Sequence, residues 1–151
     1  MEASVNASFL ITPDQGKALL EKYSKVSSIV KDNSHAENLS TVDAIRKLAN
    51  EGRNAIGVLN FASAKNPGGG FLNGAMAQEE SLAASSTLYR TLTAHEEYYQ
   101  SNRAQSSMMY TDHAIYSPAL LDLPYVLPSH DSLSLIYFRR QKVLYYVRIP
   151  Y

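Results

Sequence analysis

The chain has 151 residues, fourteen Lys and Arg against fourteen Asp and Glu, and no cysteine. That length fits one domain with a single core, able to bury about two-thirds of the surface its unfolded form exposes. The balanced charge gives no global field for nucleic acid or anionic lipid, and the lack of thiols excludes disulfides, thiolate catalysis and Cys-ligated metals while leaving the redox compartment open.

The amino terminus, MEASVNASFL, carries Glu2 and no apolar run of signal-peptide length. No apolar segment of about eighteen residues follows, so the expectation is a soluble intracellular protein, cytoplasmic or nuclear, with no membrane or direct nucleic-acid partner. The first helix signal is TPDQGKALLEKYSKVSSIVK, where Thr12 caps, Pro13 suits the first turn and Gln15 completes a capping box. Ala18, Leu19, Lys22, Val26, Ile29 and Val30 form its rough stripe. Ser40 caps a second helix, TVDAIRKLANEG, with Val42, Ile45, Leu48 and Ala49 on one face and Gly52 as the stop. Ala55 to Leu59 form a continuous apolar run, as in a strand buried on both faces, and helix followed by buried strand indicates an α/β sheet.

After a glycine loop, residues 78–103 contain no Gly or Pro and space Leu82, Ser85, Tyr89, Leu92 and Glu96 as one long helix. MMYTDHAIYSP, from Met108, predicts a strand ended by Pro118. Pro124 and Pro128 punctuate a loop, and residues 133–151 read as a two-stranded hairpin around Arg139 to Lys142.

Most of the chemistry lies in NFASAKNPGGGFLNGAMAQEESL, Asn60 to Leu82. Strand, glycine turn and helix aim backbone N–H groups and a helix amino terminus at an anion. The turn lacks the Gly-Lys-Ser/Thr of a P-loop and the G-x-G-x-x-G dinucleotide pattern, and a Pro-Gly turn alone is more often plain connection. Glu79 and Glu80 equally suit any helix first turn, where they complement the macrodipole. The residues before them, Phe71, Leu72, Ala75, Met76 and Ala77, are apolar, however, so the loop is expected to fold against something and the carboxylates to line a pocket.

The stretch VLNFASAKNPGGGFLNGAMAQEESLAASSTLY resembles the signature of the microbial-type poly(ADP-ribose) glycohydrolases, a catalytic branch of the macrodomain superfamily. Gly68-Gly69-Gly70, the seven-residue spacer Phe71 to Ala77, Gln78-Glu79-Glu80 and the flanking NFASAKNP carry the resemblance, which extends from Leu39 to about Pro118. It implies a three-layer α/β/α fold with a mixed sheet, divided here as an amino-terminal helical segment (1–38), a partial catalytic core (39–118) and a divergent tail with a possible hairpin (119–151).

The resemblance further implies hydrolysis of the ribose–ribose O-glycosidic bond of poly(ADP-ribose), with release of ADP-ribose and without metal or cofactor. Glu80 matches the acid/base and Glu79 the residue holding the ribose hydroxyls. Gly68, Gly69, Gly70 and Gln78 match the ligand-binding loop, with Asn66 or Ser63 at the ribose and Asn60 as a further contact. With ligand bound, burial and the negative charges of Glu79 and the diphosphate are expected to favour a proton on Glu80, against the helix amino terminus. Poly(ADP-ribose), ADP-ribose and ADP-ribosylated proteins are the implied partners.

From Ala119 the chain departs from the family pattern, and its last glycine is Gly74, so the second glycine-rich loop that closes on the diphosphate is missing. A truncated carboxy-terminal half is the expectation, with weakened competence, and a non-catalytic or degenerate ADP-ribose-binding macrodomain fragment is the alternative. A Mg²⁺-dependent nucleotide hydrolase would need more widely spaced acids. His35, His95, His113 and His130 have no metal-site spacing and read as surface or hydrogen-bonded residues. Ser85 and Ser86 lack a nucleophile elbow, the eleven tyrosines suit core and surface, and Arg139, Arg140, Lys142 and Arg148 fit a solvated hairpin tip as well as a phosphate contact.

Overall fold

The computed structural model describes residues 2–24, 36–53, 56–107, 109–120 and 133–136. Helix α1 (Glu2–Ala7) and strand β1 (Phe9–Ile11) precede the first expected helix, so the amino-terminal segment also contributes to the sheet. Helix α2 (Pro13–Ser24) starts on the capping box: the Thr12 amide donates to Gln15 Oε1 at 2.9 Å and the Gln15 amide to Thr12 Oγ1 at 3.4 Å. No residue of α2 is buried, and Leu19 and Leu20 are 39% and 69% exposed, so the described part of the expected stripe lies at the surface. Residues 25–31 of that helix lie outside the described residues.

Helix α3 (Thr41–Asn50) follows the sequence reading closely. The Asp43 amide donates to Ser40 Oγ, and Gly52, with φ +76°, closes the carboxyl end through the Gly52 amide to Ala49 O and the Arg53 amide to Leu48 O. Ile45 is buried in the core, with Val42, Leu48 and Ala49 packed beside it. Strand β2 (Ile56–Leu59) comes next, but only Ile56 is buried while Gly57 is exposed. Burial on both faces is not met at Gly57; among the described residues β2 is the outer strand of a sheet in the order β1-β3-β4-β2, with α3 packed on it.

The expected long helix over 78–103 is three helices: α4 (Gln78–Ser85), α5 (Leu88–Thr93) and α6 (Glu96–Arg103). Hydroxyl groups make the first break without Gly or Pro. Ser85 Oγ and Ser86 Oγ donate back to the carbonyls of Ser81 and Leu82, Ser86 turns extended at φ −148°, and its Oγ then accepts the Leu88 amide. The turn carries Leu88 and Leu92 into the core. His95, at φ −121° and ψ 58°, makes the second break, and its Nε2 lies 2.9 Å from Ser8 Oγ. Ser8 already donates its hydroxyl hydrogen to Val5 O, so His95 Nε2 is the donor in that contact.

Strand β3 (Ala114–Leu120) begins six residues later than Met108 and runs through Pro118. Residues before it are bound elsewhere: buried Asn102 accepts the Thr111 amide and hydroxyl, each at 3.0 Å, on its Oδ1. Pro118, which has no N–H for the ladder, sits where the register shifts between Ser117 and Leu120. Strand β4 (Leu133–Ile136) lies between β3 and β2, antiparallel to the first and parallel to the second. The start of the expected hairpin is thus a central strand of a mixed sheet, and 137–151 lie outside the described residues. Helices α1 and α5 pack on β3, α3 on β2 and α4, and α4 on α5.

Core burial predicts the response to truncation. Leu88→Ala, at a fully buried site, lowers unfolding free energy by about 2–5 kcal/mol. Leu20→Ala, at a residue 69% exposed, changes it by less than about 0.5 kcal/mol. Urea titration of both variants measures the difference, and equal losses contradict this packing.

Candidate functional site

Strand β2 ends at Leu59, and the next eighteen residues return the chain to the amino end of α4 through a 3-10 turn at Phe71–Asn73. Successive helix residues point about 100° apart, which lets Gln78, Glu79 and Glu80 reach three different parts of that loop. Gln78 Oε1 accepts the Phe61 amide at 2.8 Å, while its Nε2 donates to Leu59 O at 3.1 Å and Thr41 Oγ1 at 2.9 Å. One side chain therefore joins the strand end, the loop start and α3. These protein partners engage both polar ends of its amide.

Glu79 is buried, and its Oε2 accepts the amide of Ser63. The Gly68 amide also favours the ionised form, without making a hydrogen bond of ordinary geometry to Oε1, which stays buried and unpartnered. Glu80, half-buried, accepts the Gly70 amide on Oε1 at 2.9 Å. The two acids thus turn inward onto the loop that precedes them.

That contact dictates the glycines. Gly69 has φ +58°, and a Cβ there would stand 2.2 Å from Glu80 Oε1. A Cβ on Gly68, at φ +66°, would meet the Tyr89 ring at 2.8 Å, and Tyr89 also packs on Phe71 with ring centroids 5.3 Å apart. Gly70 has an ordinary φ, but a Cβ would lie 2.8 Å from the Ala75 methyl.

The triplet brings backbone against the carboxylates, and two of its amides are engaged inside the loop, Gly69 donating to Asn66 O and Gly70 to Glu80, while the Gly68 amide faces Glu79. Ser63 Oγ accepts the amides of Lys65 and Asn66, at 3.3 and 3.1 Å, which curls the segment that presents exposed Asn66. Asn60 is fully buried, and neither its Oδ1 nor its Nδ2 has a partner among the described residues. Of the apolar loop residues expected to fold inward, Phe71 does so against Tyr89, whereas Leu72 is 74% and Met76 90% exposed, because the acids and glycines occupy the inner side of the turn.

Burial lifts the Glu79 carboxyl from 4.5 to about 7, with the Glu80 charge adding to the rise and the Ser63 and Gly68 amides opposing it. No group of three or more His, Asp or Glu side chains converges as a metal site among the described residues. His95 and His113 are hydrogen-bonded, to Ser8 and Thr111, while His35 and His130 lie outside the described residues. Sequence reasoning missed Tyr89, which only its helical neighbourhood places under Gly68, and Arg103, whose Nη1 donates to Lys65 O at 2.6 Å from α6. No local signal links residues so far apart in the chain.

Comparison with known proteins places this geometry in a family context. A family model described as the microbial-type PARG catalytic domain matches residues 2–122. The structure of poly(ADP-ribose) glycohydrolase from Deinococcus radiodurans in complex with ADP-ribose is similar at TM-score 0.78 and 39% identity, over 90% of this chain and 56% of that one. The glycohydrolase from Thermomonospora curvata bound to the inhibitor ADP-HPD is similar at TM-score 0.76 and 32% identity, over 91% of this chain and 50% of that one. The chain spans about half the length of these solved structures. A comparison with curated proteins gives no match.

The raised Glu79 pKa has a stability consequence with a definite sign. The folded protein holds this proton more tightly than the unfolded chain, so burying the charge costs nothing below about pH 4.5, where both states are protonated. The cost grows as the pH rises to about 7 and then levels off at about 3 kcal/mol, since each tenfold difference in proton affinity between the two states is worth about 1.4 kcal/mol. Glu79→Gln removes this dependence, so its unfolding free energy minus that of the wild type rises by about that amount from pH 4.5 to 8. Urea titrations across that range measure it, and parallel profiles contradict the burial of a raised carboxyl.

Proposed function

We propose, on the premise that this chain belongs to the microbial-type poly(ADP-ribose) glycohydrolase (PARG) catalytic-domain family, that it hydrolyses ribose–ribose O-glycosidic bonds of poly(ADP-ribose) and releases ADP-ribose. The observation that carries the reading is the convergence of Glu79 and Glu80 on one glycine loop. The D. radiodurans neighbour in complex with ADP-ribose supports the same ligand here.

Cleavage of such a bond passes through an oxocarbenium-like state. It needs a proton for the departing ribose oxygen and negative charge beside the forming cation. In this reading Glu80 gives that proton, the glycosidic C–O bond breaks, and Glu80 then takes a proton from the water whose oxygen bonds to the anomeric carbon. Its Oε1 rests on the Gly70 amide, so Oε2 remains to face the substrate.

Glu79, with a pKa near 7, either donates to or accepts from a ribose hydroxyl through the unpartnered Oε1. Its partial protonation lessens repulsion with Glu80 and with a diphosphate. Asn66, exposed beside the triplet, is the side chain proposed for further ribose contact, while Asn60, fully buried between the two peptides that Gln78 holds, is proposed to support the loop start from within. Gln78 acts behind the site by fixing the peptides on either side of Asn60.

Glu80→Gln keeps an oxygen for the Gly70 amide but cannot deliver or accept the catalytic proton. The variant is expected to release ADP-ribose from poly(ADP-ribose) at least about 100-fold more slowly, with binding of ADP-ribose within a few-fold of wild type. Chromatography of the released nucleotide and isothermal titration calorimetry measure the two. Wild-type rates in the variant would remove Glu80 from the chemistry, and binding without release by the wild type would leave an ADP-ribose-binding protein in place of the hydrolase.

A further inference from the structure

The acids grip the loop near its two ends, at Ser63 and Gly70, and leave the crown between them to be held by something else. Lys65 and Asn66, at that crown, are exposed, so packing does little to fix them. Arg103, the last residue of α6, reaches across 38 positions of sequence: Nη1 donates to Lys65 O at 2.6 Å while Nη2 pairs with Glu96 Oε1 at the start of the same helix. Neither residue belongs to the glycine-acid signature.

The guanidinium is planar and its donors form a rigid fork, so the Glu96 carboxylate on one nitrogen sets the direction of the other. Lys65 sits immediately before Asn66, whose amide is turned onto Ser63 Oγ and whose carbonyl takes the Gly69 N–H. A fixed Lys65 carbonyl therefore fixes the peptide plane from which Asn66 and the triplet follow. We propose that Arg103, oriented by Glu96, is a positioning residue that holds the crown of the glycine loop and so presents Asn66 to the ligand. The ligand, ADP-ribose, rests on the functional reading above, whereas the hold on the loop does not.

Both partners are about half exposed, at 41% and 50%. An ion pair so exposed adds little to global stability, so a melting temperature within about 4 °C of wild type is expected for Arg103 variants. The effect should be local.

The test is amide hydrogen exchange across the whole chain, with calorimetric titration of ADP-ribose, on wild type, Arg103→Ala, Arg103→Lys and Glu96→Gln. Arg103→Ala is expected to exchange Asn66 and Gly68–Gly70 amides about tenfold faster with other amides unchanged, and to bind ADP-ribose about three- to tenfold more weakly. Arg103→Lys, which keeps the charge but loses the fork, should recover only part of both. Glu96→Gln, which keeps a neutral acceptor but loses the charge that holds Nη2, should fall between wild type and Arg103→Ala, and values equal to wild type would remove Glu96 from the proposal. Unchanged loop exchange in Arg103→Ala overturns the proposal, as does faster exchange throughout with a lower melting temperature. Should the wild type fail to bind ADP-ribose, the functional reading falls, and loop exchange alone decides whether Arg103 holds the crown.

Discussion

Two adjacent carboxylates facing back onto the loop that precedes them are the constraint on which the rest of the site depends. Glu79 and Glu80 take the amides of Ser63 and Gly70, so one turn of α4 fixes the two ends of an eight-residue arch. Each acid is in turn placed by the backbone it holds. Such an arrangement requires main chain to approach carboxylate oxygens at hydrogen-bond distance, and this leaves no room for a side chain at Gly69. Glycine there is required first by the left-handed backbone, φ +58°, and a side chain would in addition have to displace the Glu80 carboxylate.

The same closeness explains the electrostatics. A carboxyl drawn into the protein with one oxygen unpartnered loses solvation that two backbone amides do not fully replace, and Glu79 holds its proton to about pH 7 as a result. Among the described residues, Glu79 Oε1 and both polar atoms of Asn60 are buried without a hydrogen-bond partner here, and Ser117 Oγ of β3 is another such atom. Buried polar atoms without partners are unfavourable in a structural role alone, and this is consistent with a place where stability has been traded for binding.

Around this centre the scaffold supplies rigidity from several directions. Gln78 ties the loop start to β2 and α3, the Tyr89 ring supports Gly68 from α5, and Arg103 reaches Lys65 from α6. The three helices that replace one expected rod make this possible. A straight helix over 78–103 would extend about 39 Å at 1.5 Å per residue, whereas the breaks at Ser86 and His95 fold α5 and α6 back so that residues far along the chain meet the loop.

Features that depend on near neighbours are legible in the residues alone: the capping box at Thr12 and Gln15, the Ser40 cap and Gly52 stop of α3, the helix opening at Gln78, and the signature that joins three glycines to two acids. These are interactions within a few residues, so residue type and spacing specify them. Packing at long range settles that, among the described strands, β2 lies outermost, that Leu133–Ile136 fills the middle of the sheet, and that β3 passes through Pro118. The folded chain alone shows that serine hydroxyls divide the long helix, that the triplet's amides face the acids, and that Arg103 reaches Lys65. Those outcomes rest on contacts between distant segments and on competition for backbone hydrogen bonds, whose winners are set by three-dimensional packing and not by local pattern.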